Sequence, residues 1–208
     1  MSDSTITLIA NIINGVGLFF VVLSMVFKKK RQIIFCQGLN QIFSGIAYLM
    51  LKGYPGLMLC IVTLIMDIFI FFDKQNKTTS IIFASLTFLL GTLGVVISAN
   101  STWTNLNNGS IETSNIYKTM TLEVIIAYLP VLGTSAYNIA TLKKDLSLYI
   151  MRFTFMVSCL LWAIFSIHIK SYVGFGFNIA AILVYLVRTI TLRIDEKKKE
   201  NNNENNNA

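Results

Sequence analysis

Charged side chains are scarce in this chain: 208 residues hold 10 acidic and 17 basic groups, 13% together, against 54% hydrophobic, and the mean hydropathy is +0.65. A soluble globule of this size needs more polar surface, so lipid is the implied solvent. The groups that intramembrane catalysis uses are missing as well. There is one histidine, His168, with no H-E-x-x-H motif, no paired aspartates and no serine beside a base. That argues against an enzyme and leaves no metal or cofactor to expect. Cys36, Cys60 and Cys159 all fall in apolar runs, where they read as small core residues and not as disulfide partners or metal ligands. No basic residue precedes the first apolar run, whereas Lys28-Lys29-Lys30-Arg31 follows it, which is the reverse of a cleaved secretory signal.

What the chain does have is apolar length. A membrane-crossing helix takes about 20 apolar residues, and runs of that kind lie at 6–27, 33–51, 54–72, 79–98, 120–141, 148–168 and 172–192. The expectation is therefore an all-α integral membrane bundle of seven spans over residues 1–192, with a polar loop at 99–119. Residues 193–208 are an Asn-rich, low-complexity tail that reads as disordered and cytoplasmic. Asn100-Ser101-Thr102 and Asn108-Gly109-Ser110 are formal glycosylation triplets, of a kind that an Asn-rich chain produces by composition alone.

The formal charge of +7 sorts by side of the membrane. With seven spans, the lysines and arginines at 28–31, 74–77, 143–144 and 193–199 share one face, against Lys52, Lys118 and Lys170 on the other. Basic residues are retained on the cytoplasmic side, so the amino terminus is expected outside and the carboxyl terminus inside the plasma or inner membrane. The positive charge is thereby accounted for without a nucleic-acid partner. The bilayer is the expected partner, and the sequence leaves open whether copies of the chain associate.

Sliding the chain on itself by 118 residues superposes the first three runs on the last three. Lys52-Gly53-Tyr54-Pro55-Gly56 meets Lys170-Ser171-Tyr172-Val173-Gly174, and Gly15, Phe35, Ile46 and Ile61 meet Gly133, Phe153, Ile164 and Ile179. The run at 79–98 inverts the chain between the two copies. The expected plan is 3+1+3: parallel three-helix repeats over 6–72 and 120–192, joined by a linker helix and related by an axis along the membrane normal.

Polar side chains inside a span are costly unless they face the bundle interior or water. Gln37, Asn40, Gln41, Ser44 and Tyr48 share one face of the second run. Thr154, Ser158, Trp162 and Ser166 share one face of its mate, the sixth. These rows either hydrogen-bond neighbouring helices or line a chamber. Trp162 and Asn178 each sit about six residues from the outer end of their spans, roughly 9 Å deep at 1.5 Å per residue. An aromatic face beside a carboxamide suits a polar, uncharged solute. The candidate substrate residues are Trp162, Asn178, Asn40, Gln41 and Ser44. Asp67 is the one acidic residue well inside a span; it reads as a proton or cation site, as a partner of Arg188, or as a carboxylate reaching the interface. Glu123 and His168 read as wet, interfacial groups.

The basic turn after the first run, the Gly53-Tyr54-Pro55 entrance to the third and Leu129-Pro130-Val131-Leu132-Gly133-Thr134 in the fifth resemble the YgjV-like family of bacterial inner-membrane proteins, of unassigned function. The likeness spans roughly residues 10–192. By its 3+1+3 plan the chain is also similar, distantly, to the SWEET, SemiSWEET and PQ-loop transporters. In that group a Trp on the second repeat helix and an Asn on the third line the substrate pocket, and the matching residues here are Trp162 and Asn178. The first repeat departs from that pattern with Ser44 and Cys60, and no Pro-Gln pair follows the first or fifth run. The resemblance implies a small-solute transporter or facilitator; the alternative is a non-transporting membrane scaffold or sensor.

Overall fold

The computed structural model describes residues 2–27, 30–74, 76–107, 113–142 and 148–184, with Leu186, Val187 and Ile190. Seven helices account for nearly all of these residues: α1 (Asp3–Val26), α2 (Lys30–Met50), α3 (Tyr54–Phe71), α4 (Lys77–Asn107), α5 (Thr113–Leu142), α6 (Leu148–His168) and α7 (Tyr172–Val184). Segments within α1, α3, α4 and α5 are long and apolar enough, by length and composition, to cross a membrane; α6 and α7 contribute shorter apolar stretches. Helix α2 opens on Lys30-Arg31-Gln32 and carries the amide row, which lowers its apolarity.

Consecutive helices pack side by side from α1 through α6, and α3 also touches α5. The outer surface is hydrophobic: Leu8, Phe19, Leu89 and Phe153 are each more than 60% exposed. The small buried groups lie between helices, among them Ala10, Ala47, Thr87, Ala163 and Ser166. In membranes, where lipid is as apolar as leucine, helices associate through close packing of small residues and through interhelical hydrogen bonds, and this inside-out distribution is the result.

The expected loop at 99–119 is mostly helix. Helix α4 runs 31 residues to Asn107 and α5 is 30 residues long from Thr113, so at 1.5 Å per residue they extend roughly 46 and 45 Å. Both exceed a hydrocarbon core of about 30 Å and project beyond it. The composition misleads here because Ser and Thr are poor helix formers in water, yet their hydroxyls can bond back to the preceding turn, as Thr104 Oγ1 does to the Asn100 carbonyl at 2.9 Å. Asn108, Gly109, Ser110 and the tail 193–208 lie outside the described residues.

Three helices end in one way. Gly53 N–H donates to the Tyr48 carbonyl at 2.8 Å and Ser171 N–H to the Ser166 carbonyl at 2.8 Å, 118 residues apart; Lys74 N–H donates to Phe69 at 2.9 Å. The residue before each donor, Lys52, Lys170 or Asp73, has φ of 56°, 61° or 53°. This left-handed residue closes a Schellman turn, usually built with glycine, and satisfies the last helical carbonyls at a conformational cost. The turns then differ at the second residue of the helix that follows. Helix α3 has Pro55 there, which has no N–H to satisfy. Helix α7 has Val173, whose N–H donates to Asn11 Oδ1 on α1 at 3.0 Å.

Candidate functional site

That contact belongs to a polar knot where α1, α2 and the α6–α7 turn meet. Asn11 uses its whole carboxamide: Oδ1 accepts from Val173, while Nδ2 donates to the Thr7 and Lys170 carbonyls at 2.9 Å each. One turn along α1, Asn14 is 1% exposed. Its Nδ2 donates to Ser171 Oγ at 3.0 Å and its Oδ1 accepts from Ser44 Oγ at 2.9 Å. Asn40 Oδ1 lies 3.2 Å from the same Ser44 hydroxyl. One hydroxyl carries one proton, so Asn14 and Asn40 compete for it, with Asn14 the nearer acceptor. Ser166 Oγ, buried at the edge of this knot, has no hydrogen-bond partner among the described residues. An amide taken into apolar surroundings is tolerated only when its bonds are made, and Asn11 and Asn14 meet that condition.

Next to the knot lies an aromatic layer. Tyr48, one turn beyond Ser44, stands 5.6 Å from Trp162 and 6.3 Å from Phe165 between ring centroids. Trp162 donates Nε1–H to Thr134 Oγ1 at 2.9 Å and packs against Leu59, Val95, Ala127 and Val131. The α2 row and the α6 row therefore meet at Tyr48 and Trp162. Of the five candidate substrate residues, Asn40 and Ser44 are adjacent, Gln41 is half-buried beside them in the chain, and Trp162 sits in the aromatic layer. Asn178 donates Nδ2–H to the carbonyl of Gly174 in its own helix at 2.9 Å. No hydrogen bond among the described residues joins Asn178 to Trp162 or to Asn40. Gln37 is exposed.

Asp67 is 6% exposed, and its Oδ2 has no hydrogen-bond partner among the described residues; the side chain of Arg188 lies outside them. Among the described residues there is no cluster of potential metal ligands.

At the end of the bundle where α2, α4 and α6 finish, a cavity of about 170 Å³ opens. Its polar wall holds Lys52, the hydroxyl residues Ser98, Ser101 and Thr102, and Glu123 with His168; its apolar wall includes Ala127 and Phe165. His168 Nε2 and Glu123 Oε2 are 2.9 Å apart, and both side chains are partly exposed.

The profile of the family Imp-YgjV, described as bacterial inner membrane protein, matches residues 8–196. The chain belongs to that family. It is a bacterial inner-membrane protein, and the apolar helices and hydrophobic outer surface agree with that location. No curated protein and no solved structure matches the chain. Within this family member, the residues that sequence reasoning overlooked are Asn11, Asn14 and Ser171, and the pairing of Glu123 with His168. The two asparagines had a usable signal, since amides three apart on an apolar helix share a face and need partners. The Glu123–His168 hydrogen bond joins residues 45 apart in the chain and carries no local signal.

Proposed function

We propose that this family member is a non-catalytic transporter or facilitator of a small polar solute, built as parallel repeats α1–α3 and α5–α7 about α4, with its amino terminus outside. The observation that carries the reading is that Ser44 and Tyr48 of the α2 row and Ser158, Trp162 and Ser166 of the α6 row turn inward and that the two rows meet at Tyr48 and Trp162. Ser44, Tyr48, Ser158 and Ser166 are buried, while Phe35, Ile46, Phe153 and Ile164 on the same helices face out. The repeat draws support from the matched turns at Lys52 and Lys170. It draws support also from two cross-links that start at positions 118 apart: Ser44 bonds back to α1 and Trp162 back to α5. Asn40, Gln41, Ser44, Trp162 and Asn178 are the proposed solute contacts, and Asp67 is the proposed proton or cation site.

A second reading, a non-transporting scaffold or sensor, is favoured by the packing of Trp162 against Leu59, Val95, Ala127 and Val131, an apolar layer that a solute would have to part. Counterflow in proteoliposomes separates the two. The transporter reading expects saturable exchange of at least one small polar solute, lost in Trp162→Ala. It also expects Asp67→Asn to abolish gradient-driven accumulation while sparing exchange. Absence of flux across sugars, vitamins and amino acids would leave the scaffold.

A further inference from the structure

We infer that the cavity at the Glu123–His168 end of the bundle is a binding site for a small zwitterion, a compact α-amino acid. Its volume of about 170 Å³ equals that of roughly six waters at about 30 Å³ each, room for a molecule of about six or seven non-hydrogen atoms. Both signs of charge line it. Glu123 from α5 offers a carboxylate, while His168 from α6 and Lys52 from the α2–α3 turn offer N–H donors, with the hydroxyls of Ser101 and Thr102 on α4 beside them. Lys52 is carried on a left-handed turn residue, φ 56°, whose backbone is held by the Schellman bonds at the end of α2.

The chemistry of exchange selects the ligand class. Glu123 and His168 satisfy each other at 2.9 Å. A zwitterion entering between them gives its ammonium to Glu123 and its carboxylate to His168 and Lys52, so one contact is replaced by two and no charged group is stranded. A plain amine would strand His168, and a plain carboxylate would strand Glu123, each leaving a partly buried polar group unpaired. A neutral sugar would have to break the pair and supply no charge in return. The apolar wall at Ala127 and Phe165 lowers the local dielectric and strengthens both ionic contacts.

Binding needs no transport, so calorimetry on the purified full-length protein in nanodiscs tests it directly, with L-serine, ethanolamine, lactate and glucose as probes. L-serine is expected to bind saturably, with ethanolamine and lactate at least about tenfold weaker. Glu123→Gln should weaken serine by about tenfold or more at unchanged helicity. Ser98→Phe, which fills the cavity from α4, should also lose serine binding and keeps the test decisive if Glu123→Gln is unstable. No serine binding to folded wild type, equal binding of ethanolamine, lactate or glucose, or serine binding that survives Ser98→Phe would overturn the assignment. Flux without serine binding would overturn this site and leave the transport reading standing.

Discussion

Gly94→Val is expected to prevent accumulation of folded protein. A Cβ at Gly94 would lie 2.7 Å from Pro55 Cα, 2.8 Å from the Tyr54 carbonyl oxygen and 2.9 Å from Pro55 N. All three neighbours are backbone, so no rotamer change relieves the clash. The α3 start cannot easily retreat, because Pro55 fixes its own φ and the turn before it is closed by the Gly53-to-Tyr48 bond. Overpacking a core that can yield costs about 1–3 kcal/mol; here two helix backbones must separate, which places the valine variant at or above the top of that range. Gly176→Ala is the matched control. Nothing lies within 4 Å of that position, so alanine should be neutral or stabilise the helix by up to about 1 kcal/mol. Size-exclusion profiles in detergent and SDS-titration unfolding distinguish the two. Normal folding of Gly94→Val would contradict the close α3–α4 approach.

Asn14→Leu is expected to loosen α1 from the rest of the bundle. The change removes the donor to Ser171 and the acceptor from Ser44 in one step. Interhelical hydrogen bonds in membranes are worth about 0.6 kcal/mol on average and up to about 1.7, so the loss of two should cost about 1–3 kcal/mol. Ser44→Ala alone should cost less, because Ser171 keeps its bond to Asn14. In the double variant the costs should fall short of additive by about the worth of the shared bond. Strict additivity in SDS unfolding would mean that the Ser44–Asn14 bond contributes nothing.

How much of this was legible in the sequence depended on whether the signal was local. The entrance at Tyr54 and the limits of α6 are where the apolar runs put them, since Lys52-Gly53 and Lys170-Ser171 punctuate the chain there. The segment 99–107 reads as loop because Asn, Ser and Thr compete for backbone bonds in water; within α4 the Thr104 hydroxyl bonds back to the Asn100 carbonyl and serves the helix instead. The rows on α2 and α6 were visible as a three- and four-residue period. Their partners on α1 were not, because Asn11 and Asn14 stand amid apolar neighbours and show their meaning only once the α6–α7 turn, about 160 residues later, is laid against them. Glu123 and His168 looked wet when taken singly, and become a site only through the α5–α6 packing that puts them 2.9 Å apart.

The proposed transporter reading rests on seven crossings with opposite termini, and the two ends of the chain test that claim most directly. With cysteine placed at Ser2 and, separately, at Asn203, labelling with a membrane-impermeant maleimide reads the side of each end. Cys36, Cys60 and Cys159 are buried and give a low background. The expected result is that position 2 labels in cells whose inner membrane is intact and position 203 only after that membrane is permeabilised. Labelling of both positions from the same side would require an even number of crossings and would contradict the seven-span bundle.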